Sequence, residues 1–358
     1  MNISETAPPP DYRPQFPQGG KTGIGILGCG SIAQKAHLPA YEQYGLDVVG
    51  VWSRTAARTA GLPVRFESVR KVYDTAEELL ADPDVNIVDL ATPQEDRMKW
   101  LAAAVAAGKH VLAQKPLTMD VASLAPILAE ARDRGLKIAV NQNGRWAPAW
   151  RLATLLIERG DIGDVVGVTH LHDKPLPPIA GTHFDDMPHM LVTDYLMHWI
   201  DITRCWLGGK EVRSVQANDS RVPGQPLGAK NPWSASVQIS CTDGAHALMR
   251  VVGDVRTSKP SCPFWIHGTE GTIRGSVLQG SDRLELERGA TTTQYALDGQ
   301  WFIDGFAGAM GELMCAIAED REPYNSAAHN IASLQLMLAS HESADTGSPV
   351  ISMSSLPL

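Results

Sequence analysis

Three side chains in this sequence have types that suit proton transfer: Lys115, Asp194 and His198. Asp194 and His198 are four residues apart in a segment with helical hydrophobic spacing, so we expect both side chains on one helix face. A carboxylate there can orient and stabilise an imidazolium, and histidine titrates near neutral pH. The pair could remove a hydroxyl proton while the carbon-bound hydrogen leaves as hydride, although a purely structural helical pair has the same spacing.

Lys115 follows a short apolar segment, residues 111–113, and precedes Pro116. If this segment is a parallel strand, Lys115 lies at its carboxyl end, where open α/β sheets bind their ligands. A lysine in a solvated loop is the alternative, since most lysines remain exposed.

A glycine-rich turn, Gly28-Cys-Gly30-Ser-Ile-Ala33, separates an apolar segment from a helical one. Glycines at these positions allow a tight turn and let backbone N–H groups approach a pyrophosphate at the helix N-terminus. The pattern predicts a dinucleotide-binding turn, with an ordinary strand-to-helix loop as the alternative.

The next apolar segment, residues 48–52, is followed by Ser53 and Arg54 rather than by an acidic residue. A carboxylate here would accept a hydrogen bond from the ribose 2′-hydroxyl of NAD, whereas serine and arginine could bind the 2′-phosphate of NADP. Arginine can also stack on adenine without any phosphate. The sequence therefore leaves the choice between NAD and NADP open.

The elements that position these residues alternate between strand and helix as far as about residue 143. Short apolar segments predict strands at residues 23–27, 48–52, 64–66, 87–91, 111–113 and 137–140. Beyond them, helices at residues 153–158, 192–207, 306–318 and 331–343 surround segments with alternating polarity. The fold class predicted is α/β: an N-terminal Rossmann doubly wound parallel sheet, plus a C-terminal α+β domain with an open, mostly antiparallel sheet.

Three regions follow from this pattern. Residues 1–21 predict an extended tail rich in proline and glycine, including Gly19 and Gly20. Residues 22–143 predict the dinucleotide-binding domain, and residues 144–358 predict a domain for substrate binding and oligomerisation. The C-terminal helices of the last region could pack back on the first domain.

The composition excludes several classes of partner. The 358 residues carry 31 Lys and Arg against 40 Asp and Glu, a net charge of −9, so no global positive field attracts nucleic acid or an anionic membrane. Apolar stretches such as residues 100–107 are shorter than the roughly 18 residues of a membrane span. Five scattered cysteines and the lack of a signal-peptide pattern predict reduced thiols and a cytoplasmic location.

From Gly23 to about Val350 the chain resembles the Gfo/Idh/MocA oxidoreductase family, named for glucose–fructose oxidoreductase and inositol dehydrogenase. The resemblance is carried by the glycine turn, Ala91-Thr-Pro93, Gly108-Lys-His-Val111, Gln114-Lys-Pro116, Asp194-x-x-x-His198 and Gly268-Thr-Glu-Gly271. The chain departs from the family at Gln114, where glutamate is usual, and at Arg97, where relatives commonly have histidine.

The resemblance implies a catalytic set in which His198 transfers the proton, Asp194 positions it and Lys115 polarises the reacting oxygen, in a cleft between the domains. The cofactor-binding residues that it implies are Gly28, Gly30, Ser31, Ile32, Ser53, Arg54, Thr92, Pro93, Gln94, Gln114 and Lys115.

Substrate contacts are expected from Lys115, Asp194 and His198 together with Arg145, Trp146, His183 and His189. Arg145 could bind an anionic group and Trp146 could stack on sugar C–H groups, although an interface arginine and a core tryptophan are equally open. The two histidines could line a polyol pocket or lie in a solvated loop. A metal site with Asp185 is not expected, because the spacing matches no recognised ligand pattern.

These observations predict an NAD(P)-dependent dehydrogenase or reductase of a sugar, inositol or related polyol. A glycosidase that oxidises its substrate transiently with bound NAD⁺ is one alternative, and a non-catalytic nucleotide or sugar sensor is another. The expected partners are a small carbohydrate and a second copy of the chain. A homodimer or homotetramer would form through the C-terminal sheet, because its free face would otherwise expose apolar surface.

Overall fold

The computed structural model describes residues 3–19, 22–173, 175–176, 179–253, 260–277 and 282–351, so Gly20 of the predicted tail lies outside the described residues. The chain divides into two compact units. The parallel-sheet unit comprises Arg13–Trp146 and Trp301–Ile331. The large-sheet unit comprises Met1–Tyr12, Ala147–Gln300 and Ala332–Leu358.

The strands of the described residues are β1 (Ile3–Ala7), β2 (Ile24–Leu27), β3 (Val48–Trp52), β4 (Ile87–Leu90), β5 (His110–Ala113), β6 (Ile138–Val140), β7 (Val165–His172), β8 (Val212–Ser220), β9 (Ser234–Cys241), β10 (His246–Val252), β11 (Pro263–Gly268), β12 (Thr272–Ser276), β13 (Arg283–Arg288), β14 (Thr291–Tyr295) and β15 (Val350–Ile351). The α-helices are α1 (Leu38–Gln43), α2 (Leu62–Arg65), α3 (Ala76–Ala81), α4 (Gln94–Ala106), α5 (Leu124–Asp133), α6 (Pro148–Glu158), α7 (Met197–Leu207), α8 (Phe306–Ala318) and α9 (Ala327–Thr346). In the described part of the chain, three π-helical turns precede α1, α7 and α8, at Ala33–His37, Leu191–Leu196 and Trp301–Gly305.

The parallel-sheet unit is built on a sheet of strand order β3-β2-β4-β5-β6 among the described residues, and every pair in it is parallel. All residues of β2 and β4 are buried, as expected for a parallel sheet that is covered on both faces. The chain order reverses at β2 and β4, which is where open α/β sheets bind ligands. This arrangement confirms the predicted Rossmann-type sheet.

Helix α8 belongs to the core of this unit although it comes from the C-terminal part of the chain. Its apolar residues Phe306, Met310 and Leu313 are buried in one cluster with Ile24 and Tyr41. Gly308 lies against Trp146 so closely that a Cβ built on the glycine would be 2.4 Å from Trp146 Cγ. Close packing therefore ties this helix to residues near the end of the predicted dinucleotide domain.

The large-sheet unit has the strand order β1-β14-β13-β12-β11-β7-β10-β9-β8-β15 within the described residues. Most of its pairs are antiparallel, while β1 pairs with β14 and β10 pairs with β7 in parallel. Burial alternates along β9 and β10, so one face is packed and the other is more open. The predicted open, mostly antiparallel sheet is thus confirmed.

The structure differs from the sequence prediction in two segments. Residues 64–66, predicted as a strand, lie at and just beyond the end of α2, because Pro63 suits the first turn of a helix and Gly61 precedes it with a φ of +78°. The predicted tail contains strand β1, and Tyr12 is buried. The Tyr12 hydroxyl accepts a hydrogen bond from the backbone N–H of Asp298 at 2.7 Å.

One segment, Trp301–Ala318, is long and apolar enough to cross a membrane by length and composition, with a mean hydropathy of 1.3. It is longer than the apolar stretches, such as residues 100–107, on which the sequence prediction about membrane spans rested. Within the protein, 72% of this segment is buried, which is typical of a core helix. Its burial against the parallel-sheet unit accounts for its apolar composition.

Replacing Gly308 with alanine should destabilise the protein, because the new methyl group would overlap Trp146. Overpacking costs about 1–3 kcal/mol, and the better helix propensity of alanine offsets up to about 1 kcal/mol of that loss. We expect a thermal midpoint several degrees lower. Gly228→Ala is the control, since nothing lies within 4 Å of a Cβ there. Equal midpoints for both variants would contradict the close packing of α8.

Candidate functional site

The glycine turn between β2 and the following helix has a geometry that only glycine can adopt at its first position. Gly28 has a φ of +99°, and a Cβ on it would lie 2.8 Å from the carbonyl carbon and oxygen of Ala91. Its N–H donates to the carbonyl of Trp52 at 2.8 Å. The turn therefore lies directly against the end of β4 and next to the end of β3.

Gly30 has a different reason to be glycine. A Cβ there would meet no described protein atom closer than Arg58 Nη1, at 3.8 Å. The backbone is thus accessible next to a helical segment, residues 31–43, which begins with the exposed Ser31 and the half-buried Ile32. This open space at a helix N-terminus fits a pyrophosphate.

Buried polar atoms without partners mark the carboxyl ends of two strands. Thr92 follows β4 and is 6% exposed, yet its hydroxyl has no hydrogen-bond partner among the described residues. After β6, the same holds for Asn141 Oδ1 and for both amide atoms of Gln142. Buried polar groups are normally satisfied, so these atoms fit a polar ligand such as a dinucleotide.

The loops after β4 and β5 are joined by Arg97, one of the two departures from the family pattern. Its guanidinium donates to the carbonyl of Thr92 at 2.8 Å and to the carbonyl of Pro116. Burial lowers the pKa of Arg97 to about 10, with Glu95 acting in the opposite direction. The cation therefore holds the Thr92-Pro93 turn, from which Gln94 starts α4, next to the Lys115–Pro116 peptide, which is cis.

Gln114 holds the same loop from its other side. Its Oε1 accepts a hydrogen bond from the N–H of Lys115 at 3.0 Å, and its Nε2 lies 2.8 Å from His37 Nε2. His37 Nδ1 is in turn 2.6 Å from Asp89 Oδ2, which also accepts from the Tyr41 hydroxyl. A buried hydrogen-bond chain thus leads from β4 to the backbone of Lys115.

Ser53 and Arg54 follow β3 as predicted, and Arg54 is 72% exposed in its side chain. Its guanidinium forms an ion pair of 2.9 Å with Asp96, in the first turn of α4. The sequence interpretation missed both Asp96 and Arg58, which lies near Gly30. A second arginine four residues after Arg54 was the available signal for an anion site.

Arg145 and Trp146 lie in the core of the parallel-sheet unit. Arg145 is buried and donates to the carbonyl of Tyr324. Trp146 is 7% exposed and packs on Gly308. The core interpretation therefore fits Trp146 better than sugar stacking, because a buried indole offers no open face to a substrate. The residues of this segment with open hydrogen-bonding capacity are Asn141 and Gln142.

Asp194 and His198 lie on one helical segment of the large-sheet unit, as predicted. Asp194 is within the π-helical turn and His198 is in the first turn of α7, and both are half-buried. Such π turns are frequent at functional sites. Burial, together with the carboxylate of Asp194, raises the pKa of Tyr195, and the Tyr195 ring contacts the His172 ring edge-on at 5.6 Å.

His183 and His189 have different surroundings. His183 is exposed and lies on the Phe184 ring, with centroids 4.0 Å apart. His189 faces a carboxylate with each ring nitrogen: Asp219 at 2.8 Å and Asp345 at 3.3 Å. His183 is thus the more available of the two for a ligand.

Asp185 organises the loop between these histidines. It is fully buried and accepts hydrogen bonds from the backbone N–H groups of Gly181, Lys230 and Asn231. Burial alone would raise the pKa of Asp185, but these donors lower it below its usual value. The described residues contain no group of three or more His, Cys, Asp or Glu side chains that could hold a metal ion.

The parallel sheet and the glycine turn define a dinucleotide-binding fold. A family model described as an oxidoreductase family with an NAD-binding Rossmann fold matches residues 22–142, and the Gfo/Idh/MocA C-terminal domain model matches residues 150–274. The chain belongs to the Gfo/Idh/MocA family of sugar and polyol oxidoreductases, and its cofactor class is a nicotinamide dinucleotide.

Curated relatives include the 1,5-anhydro-D-fructose reductase of Ensifer adhaerens, 28% identical over 70% of this chain and 74% of that protein. The inositol 2-dehydrogenase of Rhodococcus jostii is 35% identical over 64% of this chain and 60% of its own length. The chain therefore matches less than two thirds of the dehydrogenase.

Solved structures share the fold across nearly the whole chain. An oxidoreductase from Agrobacterium radiobacter, in complex with NAD⁺, L-tartaric acid and magnesium, has a TM-score of 0.81 and 21% identity, covering 93% of this chain and 98% of that one. Levoglucosan dehydrogenase with NADH and levoglucosan has a TM-score of 0.79 and 23% identity, covering 93% and 99%. At these identities the likeness establishes the fold alone.

If the protein recognises the 2′-phosphate of NADP, replacing Arg54 or Arg58 with alanine should weaken binding of NADP(H) more than binding of NAD(H). A charge-assisted phosphate contact contributes about 1.5–3 kcal/mol, so we expect a roughly 10- to 100-fold higher Kd for NADP(H). Fluorescence titration with both cofactors measures this change. Arg70→Ala is a matched control, because Arg70 forms a similar ion pair with Asp47 before β3. Equal losses for the two cofactors would contradict phosphate recognition.

Proposed function

We propose that this protein is an NAD(P)-dependent dehydrogenase or reductase that acts on a hydroxyl or keto carbon of a sugar, an inositol or a related polyol. The observation that carries this proposal is the carboxyl edge of the parallel sheet. There the open space at Gly30 and the unsatisfied polar atoms of Thr92 and Gln142 fit a dinucleotide, and Lys115 follows β5 on a loop held from both sides.

The relatives support the substrate class. Their printed names include an anhydrofructose reductase and an inositol dehydrogenase, and a structural neighbour binds levoglucosan. These compounds are sugars or cyclic polyols with secondary hydroxyl groups. We extend this class to the present chain as part of the proposal.

The dinucleotide would lie along the glycine turn, with its adenosine ribose near Ser53 and Arg54 and polar contacts from Thr92, Gln94 and Gln142. When bound, it supplies the hydride acceptor or donor. The backbone at Gly30 can approach the pyrophosphate because no side chain intervenes. The protein's own contribution is therefore to bind and orient this group.

Proton transfer is assigned to three side chains. In this proposal Lys115 donates a hydrogen bond to the reacting oxygen, and its ammonium stabilises the negative charge that develops there. His198 accepts or donates the hydroxyl proton, and Asp194 positions the imidazole. The half-buried setting of Asp194 and His198 after a π turn supports their roles.

Substrate binding beyond these residues is proposed for His183, which is exposed, rather than for His189, which is already between two carboxylates. Location is proposed to be cytoplasmic. Cys29, Cys241 and Cys315 are free thiols, as in proteins of reducing compartments.

A substrate screen tests the proposal. The protein is incubated with NAD⁺ or NADP⁺ and a panel of sugars, inositols and polyols, and the reduced cofactor is followed by its absorbance. Turnover of at least one cyclic polyol with stoichiometric reduced cofactor supports the proposal. A lack of binding of both dinucleotides below millimolar concentration would overturn it.

The same screen distinguishes a glycosidase that oxidises its substrate only transiently. Nitrophenyl glycosides are incubated with the enzyme and NAD⁺ in D₂O. Release of nitrophenol without net NADH, with deuterium entering the sugar carbon next to the oxidised one, identifies the glycosidase. Stoichiometric NADH with an intact glycosidic bond identifies the dehydrogenase.

Lys115→Ala and His198→Ala should each reduce kcat by at least about 10²-fold, since general acid–base groups contribute about 10²–10⁴-fold. Dinucleotide affinity should stay nearly unchanged, because the contacts at the glycine turn remain. Steady-state kinetics on the substrate found in the screen, with Kd values by titration, measure both quantities. His329→Ala, at an exposed position of α9, serves as the control for His198. Turnover near wild type in both site variants would contradict the assignment.

We also propose that the more open face of the large sheet pairs with a second copy of the chain. On this face Leu248, which is 41% exposed, is in register with Thr169, and Thr169 is in register with Trp265. Apolar side chains on an otherwise solvated sheet are typical of an interface.

Sedimentation velocity should therefore show a dimer or tetramer, and Leu248→Asp should shift it to smaller species. Burying a carboxylate in an apolar contact is unfavourable without a partner. The matched control is Val64→Asp, at an exposed valine of the parallel-sheet unit. A wild-type monomer at every protein concentration would exclude this interface.

A further inference from the structure

The hydrogen-bond partners of the Gln114 side chain determine which way its amide group faces. Its Oε1 lies 3.0 Å from the backbone N of Lys115. A backbone N–H can only donate, so the atom facing it must be the acceptor oxygen. The NH₂ group of Gln114 consequently faces His37 Nε2, at 2.8 Å.

This orientation fixes the protonation of His37. Because the Gln114 amide donates, His37 Nε2 must accept and carries no proton. The ring proton is therefore on Nδ1, which donates to Asp89 Oδ2 at 2.6 Å. His37 is a neutral imidazole, and Asp89 is the charged member of the chain.

We propose that Gln114 is a positioning residue that holds the Lys115 backbone through a neutral His37 anchored on Asp89, so that the loop needs no titrating proton to keep its conformation. Glutamate at position 114 has no proton to donate when ionised. It could bond to His37 Nε2 only if His37 took up a second proton and became an imidazolium. The effect on catalysis rests on the proposed function of Lys115.

The other groups packed around His37 keep their protonation states. Tyr41 donates to Asp89, and burial, with the Asp89 charge, raises its pKa well above the usual value. Burial, again with Asp89, raises the pKa of Cys29 to about 12. Asn141, 3.5 Å from His37 Nε2, and Phe306, whose ring lies 4.8 Å away, do not titrate. Of the groups already present, His37 is therefore the one able to take an additional proton in Gln114→Glu, and the new carboxyl group is the other possible site.

The first test observes the tautomer directly and needs no turnover. The ¹⁵N chemical shifts of His37 are measured in wild type and in Gln114→Glu across pH, with His37→Gln used to assign the signals. Wild type should show the neutral Nδ1–H form at neutral pH. Gln114→Glu should show a doubly protonated ring that loses its proton only at higher pH. A wild-type imidazolium or a wild-type Nε2–H tautomer would overturn the proposal, as would a Gln114→Glu variant in which neither His37 nor the new carboxyl group binds the extra proton at neutral pH.

The second test uses stability. In Gln114→Glu the folded protein holds one extra proton between position 114 and His37, and the unfolded chain releases that proton at lower pH than the folded protein does. The stabilisation from this proton is then fully present below the unfolded pKa and is lost as pH rises through the folded pKa. The thermal midpoint of the variant should thus fall relative to wild type with rising pH, whereas Gln216→Glu, on an exposed strand position, should show no such trend. A pH-independent difference indicates a merely structural role and contradicts the proposal. If the variant does not fold at neutral pH, recovery of folding at about pH 5 supports it, and failure at both pH values counts against it.

The third test uses the pH dependence of kcat/KM to show whether the Lys115 loop keeps its conformation. In Gln114→Glu the extra proton between position 114 and His37 is lost as pH rises. Beyond that point the competent fraction falls about tenfold per pH unit, and kcat/KM should fall with it relative to wild type. Dinucleotide affinity is measured in parallel. A variant whose kcat/KM follows the wild-type pH profile, although its His37 is doubly protonated, would overturn the positioning role. Failure of the proposed function would appear separately, as absent turnover in wild type with an unchanged tautomer result.

Discussion

The buried carboxylate of Asp89 constrains the carboxyl edge of the parallel sheet, where we propose that the cofactor binds. Asp89 is on β4, the middle strand of the parallel sheet, and it is fully buried among apolar neighbours. An isolated charge in such a place is strongly unfavourable, so the fold must supply donors. His37 and Tyr41 do so from the helical segment that follows the glycine turn. That helix is therefore tied to β4 by hydrogen bonds as well as by packing.

The same requirement extends to the next strand. His37 Nδ1 is hydrogen-bonded to Asp89, so the other ring nitrogen, Nε2, needs a partner of its own. Gln114, which follows β5, provides that partner. From the opposite side Arg97 bonds to the carbonyls of Thr92 and Pro116. Two buried polar groups thus hold the loop of Lys115, while Thr92 keeps an unsatisfied hydroxyl among the described residues. The bonded groups hold the loop, and the Thr92 hydroxyl is left for a polar ligand.

In the large-sheet unit, burial separates histidines that look alike in the sequence. His170 is fully buried, and burial lowers its pKa to about 3, so it is a neutral core residue. Burial, with His189 next to it, lowers the pKa of His341 to about 4. His189 lies between two carboxylates, whereas His198 is half-buried at the start of α7. The environment, rather than the residue type, decides which imidazole is suited to proton transfer.

Local patterns alone determined the class of fold, the glycine turn and the helix that carries Asp194 and His198, because strand and helix periods and the steric freedom of glycine are properties of neighbouring residues. An aspartate within the apolar segment at residues 87–91 was the available signal for the buried chain. Its partners remained hidden, since His37 and Asp89 are 52 residues apart. The sequence could likewise not reveal that residues 3–7 form an edge strand, since β1 pairs with β14 and Ile3 is in register with Thr291, 288 positions later. Tertiary structure decided three features: the burial of Trp146, the bonds from Arg97 to the carbonyls of Thr92 and Pro116, and the tautomer of His37. Each depends on which distant atoms fill the remaining space and satisfy the remaining hydrogen bonds.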